Sequence, residues 1–194
     1  MLSSTYRMSS QFDEAHFRRD GDNRSLWRMN PRRLDVEAWR DCLYSVSGEL
    51  NLTVGGPPVG DILNSPRRTL YSAVSRNGDR FASDQFLRLF DFPSARATVS
   101  ERPTSAVPQQ YLFLLNSPFM ENRAKALAQR LIGESKGDNE IIEKAYLLLY
   151  SRPPSVDEKK TASAFLEGDD SGKRTRWNQY AQVLLSSHEF MQVR

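Results

Sequence analysis

Apolar positions along this chain change their rhythm near residue 30. Residues 1–30 are polar and arginine-rich without a sustained period, apart from the short piece Thr5-Tyr6-Arg7-Met8, and they read as an irregular arm. Beyond it, Asn30-Pro31 places a capping side chain before a proline at a first helical position, and Val36, Trp39, Leu43 and Val46 recur at helical spacing. Gly48 supplies the stop. Residues 50–66 carry Gly55-Gly56 and Pro57-Pro58 and predict a long connection of the functional or loosely ordered kind. Residues 69–75 alternate as a short strand does, and Asn77-Gly78 follows as a turn signal without a second strong strand to complete a hairpin.

Six more helices are predicted over 83–90, 108–115, 118–132, 138–150, 155–166 and 173–190, each bounded by proline, glycine or a capping residue. Ser155-Val156-Asp157-Glu158 fits a capping box, in which hydroxyl and carboxylate satisfy each other's backbone donors. The packing faces are Leu127, Leu131 and Ile132; then Ile141, Ala145, Leu148 and Leu149; then Phe165 and Leu166. Trp177, Tyr180, Ala181 and Leu184 close the bundle. The expected fold is mainly α: a helical bundle-like domain with an irregular N-terminal arm and at most a minor β element. The arm spans 1–30 and a single helical domain spans 31–194, with helix, loop and strand in 31–103 and the bundle in 104–194.

Composition narrows the class without naming a chemistry. Hydrophobic residues at 39% with 26% charged lie in the range of folded, water-soluble chains. The net charge of +3, from 27 basic and 24 acidic side chains, is a small imbalance and argues against a polycationic nucleic-acid surface. No apolar run approaches the roughly 20 residues needed to cross a bilayer, and the first twenty residues lack the apolar core of a signal peptide. Taken as written, the sequence therefore reads as cytoplasmic. The single cysteine, Cys42, excludes an internal disulfide and a multi-cysteine zinc site, and no Cys-x-x-Cys-His is present for covalent haem. No cofactor is expected.

The titratable candidates are few. His16 and His188 are the only histidines, and neither sits in a recognisable ligand or triad motif. Cys42 precedes Leu43 on an apolar-striped helix, so it is expected at the edge of the core, with no base nearby to activate it. Between residues 18 and 40, seven arginines (Arg18, Arg19, Arg24, Arg28, Arg32, Arg33, Arg40) face four acids (Asp20, Asp22, Asp35, Glu37). With Trp27 and Trp39, they offer a phosphate-tracking patch. The favoured reading is instead that the interspersed acids pair with them and fasten the arm. Arg67, Arg68, Asp91 and Arg102, with Arg76, form a second polar set around the expected strand. Its two readings are an Arg–Asp pair holding the strand to the Phe90-Asp91-Phe92-Pro93 corner, and a carboxylate-binding pocket.

Taken together, several segments resemble one family. They are Asn30-Pro31-Arg32-Arg33-Leu34 with Arg40-Asp41 and Ser47-Gly48, Arg67-Arg68-Thr69-Leu70-Tyr71, Phe90-Asp91-Phe92-Pro93, the block from Thr104 to Pro118, Tyr150-Ser151-Arg152-Pro153-Pro154 and Leu184-Leu185-Ser186-Ser187-His188-Glu189-Phe190. They are similar to the DUF1553 domain of planctomycete multidomain proteins over residues 2–193, with Thr69 where a serine is usual and Ser186 where asparagine is frequent. The resemblance implies a C-terminal portion of a large exported protein. It also implies partners upstream, a DUF1549-like domain or a cytochrome c-like domain, and no transferable catalytic residues. Three functions remain: a structural or protein-interaction module, a component of an exported enzyme or cytochrome-linked redox or polymer-degrading system, and nucleic-acid binding through residues 18–40.

Overall fold

The structure, a computed structural model, describes residues 3–5, 7–77, 79–167 and 170–193. Gly78, half of the expected Asn77-Gly78 turn, lies outside the described residues, as does Tyr6 of the short N-terminal piece. The described chain is mainly α-helical, and its β element is a two-stranded antiparallel sheet. No helix among the described residues is long and apolar enough to cross a membrane. The backbone divides into two units, Met1–Leu34 with Met191–Arg194, and Asp35–Phe190.

In the first unit, α1 (Glu14–Arg19) starts where the Asp13 carboxylate accepts the His16 N–H at 2.8 Å. The turn after it is irregular but internally bonded. Asp20 accepts the N–H groups of Arg24 and Ser25 at 2.9 and 2.7 Å, and Asn23, in the left-handed region at φ 55°, donates its amide to the Arg28 carbonyl at 2.7 Å. Asn30-Pro31 does not open a helix. Instead β1 (Arg32–Arg33) pairs with β2 (Gln192–Val193), Arg32 opposite Val193 and Arg33 opposite Gln192. The minor β element is thus made by the two ends of the chain, a pairing no local signal reports.

The second unit opens with α2 (Val36–Val46), continues through a 3-10 turn at Thr69–Tyr71 and α3 (Ala82–Leu89), and then builds a bundle. The bundle comprises α4 (Pro108–Asn116), α5 (Pro118–Gly133), α6 (Asp138–Tyr150), α7 (Val156–Leu166) and α8 (Asp170–Leu185). Local chemistry sets most boundaries. Ser117 ends α4 and caps α5 by accepting the Met120 N–H at 3.2 Å, with Pro118 next in line, where its missing N–H costs nothing. Ser151 ends α6 in the left-handed conformation at φ 57°. The Ser155–Glu158 capping box forms as its sequence requires, with bonds of 3.2 Å to the Ser155 hydroxyl and 2.7 Å to the Glu158 carboxylate.

Two cores meet in this unit. Trp39, Phe86, Phe90, Phe113 and Phe119 stack with ring centroids 4.7 to 6.3 Å apart, joining α2 and α3 to α4 and α5. The bundle core buries Leu127, Leu131, Ile141, Ala145, Leu166, Trp177, Tyr180, Ala181 and Leu184 as the helical spacing implies. Ile132 and Phe165, expected inside, are 37% and 43% exposed. Ile132 is turned from the buried Leu131 by one residue's helical rotation, and the Phe165 ring sits at the bundle edge, 6.2 Å from Tyr180. The last helix stops at Leu185 rather than near Phe190, which is buried beyond its end.

The expected strand at 69–75 is absent. Thr69 is drawn into the 3-10 turn by two bonds to Asp41, and only an isolated parallel bridge between Val59 and Ser72 forms. The 50–66 connection is likewise more fastened than its glycines and prolines suggest. Asn51 bridges to Arg67, the Val59 N–H donates to the Tyr71 carbonyl at 2.7 Å, and the Ala73 N–H donates to the Val59 carbonyl at 2.8 Å.

One buttress is electrostatic. Arg152, just past α6, holds Glu158 at 2.7 Å and Glu189 at 2.8 Å. Hydrogen bonds from Arg152 pull the Glu158 pKa from its ordinary 4.5 to about 2. A carboxylate depressed in the folded state adds stability above its unfolded pKa and loses it as pH falls toward the folded one. The urea midpoint should therefore drop between about pH 4.5 and about pH 2. Arg152→Ala should flatten that part of the profile and lower the plateau above it; a variant with an unchanged acid limb would show the clamp to be inert.

Candidate functional site

One cavity of the second unit lies along α2. Glu37 and Asp41 are one helical turn apart and so share a face. Opposite them run Arg68, Thr69, Leu70 and Val74, and between the two a cavity of about 460 Å³ reaches Leu87 and Phe92.

Why the chain takes this shape is decided by Arg40, whose side chain has no solvent exposure. Its Nη1 donates to the Arg67 carbonyl at 2.9 Å and to Thr69 Oγ1 at 3.1 Å, and its Nη2 donates to the carbonyls of Ile62 and Ser65. The guanidinium also lies 4.4 Å from the centre of the Tyr44 ring. Asp41, next along the helix, accepts Thr69 N–H at 2.8 Å, Thr69 Oγ1 at 2.7 Å and Arg40 Nη1 at 3.3 Å. A segment without regular structure thus has its inward carbonyls satisfied by one fixed cation.

The four residues singled out from sequence do not form one cluster. Arg67 donates to the carbonyls of Gly55 and Pro57 and lies over the Tyr71 ring at 3.9 Å, while the Tyr71 hydroxyl accepts the Gly55 N–H at 2.8 Å. Gly55 and Gly56 hold φ of 82° and 92°, and a Cβ on Gly56 would stand 3.3 Å from Arg67 Nη1. Arg67 is therefore a clasp on the double-glycine turn.

Asp91 sits in the left-handed region at φ 65° and accepts Ser105 N–H at 3.0 Å and Ser105 Oγ at 2.6 Å. It ties the corner after α3 to the segment before α4. Arg102 forks onto Glu37 at 2.7 and 2.8 Å and lies 5.5 Å from the Phe92 ring centre. Burial alone would raise the Glu37 pKa, but the Arg102 hydrogen bonds, a backbone N–H and the Arg102 charge together outweigh it and hold the carboxyl below its usual range. Arg68 is the member that faces the cavity: half exposed, with Nε 3.6 Å from Asp41 Oδ2.

The remaining candidates are placed as follows. His16 is exposed, its Nδ1 2.8 Å from Asp13 and its ring stacked 5.6 Å from Trp27. His188 is exposed. The Cys42 thiol is half-buried and its pKa is pushed up by burial and by Asp41, the opposite of what a nucleophile needs. In the first unit, Arg18 pairs with Glu14, Arg24 with Asp22, and Arg28 packs on Phe12 and Trp27, so these three arginines are engaged with their own neighbours. Trp39 is buried in the aromatic core and presents no face for base stacking. No group of three or more His, Cys, Asp or Glu among the described residues is arranged to hold a metal.

Arg40 and Asp41 were legible only as part of a motif. An arginine on the same helical stripe as buried Leu43 and Val36 was the one available signal that it belongs inside.

Comparison with known proteins gives one result. A family model described as "Protein of unknown function (DUF1553)" matches residues 1–166 of the 194. No curated protein and no solved structure matches the chain.

Arg40→Met should cost about 3 to 5 kcal/mol, because it strands several buried carbonyls and unpairs Asp41. Arg40→Lys should recover little of this, since an ammonium with three donors cannot reach all five acceptors. Chemical denaturation of both variants checks this; a loss within about 1 kcal/mol of wild type would mean that the segment is held by something else.

Proposed function

The chain belongs to the DUF1553 family, whose function is unknown, and from that premise we propose that it serves as a protein-interaction module. The observation that carries this reading is the outer face of α4. Tyr111, Leu112 and Leu115 lie together on that short helix and are 55%, 58% and 64% exposed, while Leu114 beneath them is buried. The helix is tied to α8, where Gln182 donates to the carbonyls of Leu114 and Leu115 at 3.1 and 2.9 Å. A single exposed leucine is ordinary on a protein surface, whereas a contiguous set on a rigidly packed helix marks a docking site.

The partner proposed for this face is another domain of the same polypeptide. By family resemblance, that is a DUF1549-like or cytochrome c-like domain upstream, in an exported protein of which this is the C-terminal part. Assignment of Arg67 and Asp91 to backbone clasps supports a structural use over a site for chemistry. The reading in which the domain completes an exported enzyme or redox assembly rests on the cavity beside Arg68, which another domain would have to finish.

Produced by itself, the chain should associate in a concentration-dependent way in sedimentation velocity. The double variant Leu112→Glu, Leu115→Glu should sediment as a monomer with a melting temperature within a few degrees, about the effect expected of surface changes. A wild-type chain that stays monomeric at high concentration removes the support for α4 as a docking face.

A further inference from the structure

A second cavity of about 270 Å³ abuts the first, and the two share Val74, Leu87 and Phe92 as a common apolar wall. Arg68 lines only the first and Arg76 only the second. Arginines outside the shared wall therefore line each of the two cavities.

The balance of donors and acceptors around this double groove is lopsided. Both Glu37 oxygens are taken by Arg102, and Asp41 is occupied by Thr69, Arg40 and Arg68. Asp84 accepts Ser75 N–H at 3.0 Å, Phe81 N–H at 3.1 Å and the Ser75 hydroxyl, which hold its pKa down against the effect of desolvation. Asp79 is bound by Arg88. Among the basic groups, Arg96 is tethered to the Arg76 carbonyl from Nε at 2.6 Å and to Asn77 from Nη2 at 3.0 Å. Among the described residues, the Arg76 guanidinium has no acceptor, and Arg68 gives one long contact to Asp41 from Nε while both its Nη groups stay open. The groove thus offers spare donors at either end and few spare acceptors.

From this we infer that the double groove binds an extended acidic peptide segment, with carboxylates engaging Arg68 and Arg76 and an apolar side chain between them against Leu70, Val74 and Phe92. Charge-assisted bonds to guanidinium favour carboxylates, and the apolar wall favours a peptide over a uniformly polar anion. Single-stranded nucleic acid would look for an open aromatic face to stack on, and the face of Phe92 is already approached by Arg102. This site is independent of the α4 face and stands or falls without it.

The test is fluorescence anisotropy of the full chain with a fluorescein-labelled hexapeptide of alternating glutamate and leucine. The peptide should bind, its glutamine counterpart should not, and Arg68→Gln or Arg76→Gln should each weaken binding about tenfold. Both side chains are exposed enough for the variants to fold, which circular dichroism verifies. The Leu112→Glu, Leu115→Glu variant should bind the peptide as wild type does, which separates this site from the α4 docking reading. Equal binding of the glutamine peptide, unchanged affinity in both folded arginine variants, no binding at millimolar peptide, or displacement of the peptide by a heparin oligosaccharide that itself binds more tightly would each overturn the assignment.

Discussion

The arrangement of the larger unit's first half depends on burying one charge. Arg40 is sealed from water, and an ion there is tolerable only because backbone carbonyls and Asp41 surround it. The dependence is mutual. Residues 50–68 contain too few apolar side chains to fold as an element of their own, and Arg40 gives their carbonyls somewhere to point. Ile62, the fully buried apolar residue of this stretch, supplies both an anchor and one of the acceptors. Remove the cation, and the carbonyls of Ile62, Ser65 and Arg67 lose their shared donor, while the bonds at Asn51, Val59 and Leu63 still hold the rest of the path.

From that fixed path the other features follow. Asp41 captures Thr69 and so sets the turn that leaves Leu70 73% exposed and Arg68 directed at the cavity. Arg67, pointing the other way, clasps the double-glycine turn together with Tyr71. Adjacent residues of one motif thus have opposite tasks, one holding backbone and the next facing solvent. On the far side of α2, Trp39 links this framework to the phenylalanine cluster, which in turn positions α4 with one face packed and the other bare.

The bundle was the most legible part of the molecule because its signals are local. Capping serines, prolines at first helical positions and apolar spacing act within a turn or two, and α4 to α7 begin and end close to where those residues place them. The misjudged positions have a common cause. The 69–75 segment alternates as a strand would, yet it pairs only through an isolated bridge to Val59, and a distant aspartate bends its start into a turn. Asn30-Pro31 carries a helix-start signature, but pairing with residues at the other end of the chain takes the following arginines into β structure. Likewise the polar set of Arg67, Arg68, Asp91 and Arg102 is real as four engaged residues and unreal as one cluster, since each finds its partner through the fold.

The sequence by itself determined the helical class, most helix boundaries, the bundle core and, through its motifs, the family. These follow from short-range sterics, capping and the 3.6-residue period, which are written into neighbouring residues. Only the tertiary structure decided which arginine is buried, which carboxylates are spent on backbone donors, and which apolar residues remain on the surface. Charge and hydrophobicity are properties of a side chain, but whether they are satisfied depends on partners 20 to 65 residues away, as for Arg40 with Ile62 and Arg102 with Glu37. The bare face of α4 and the exposed side chains of Arg68 and Arg76 are the remainder after those long-range pairings are made.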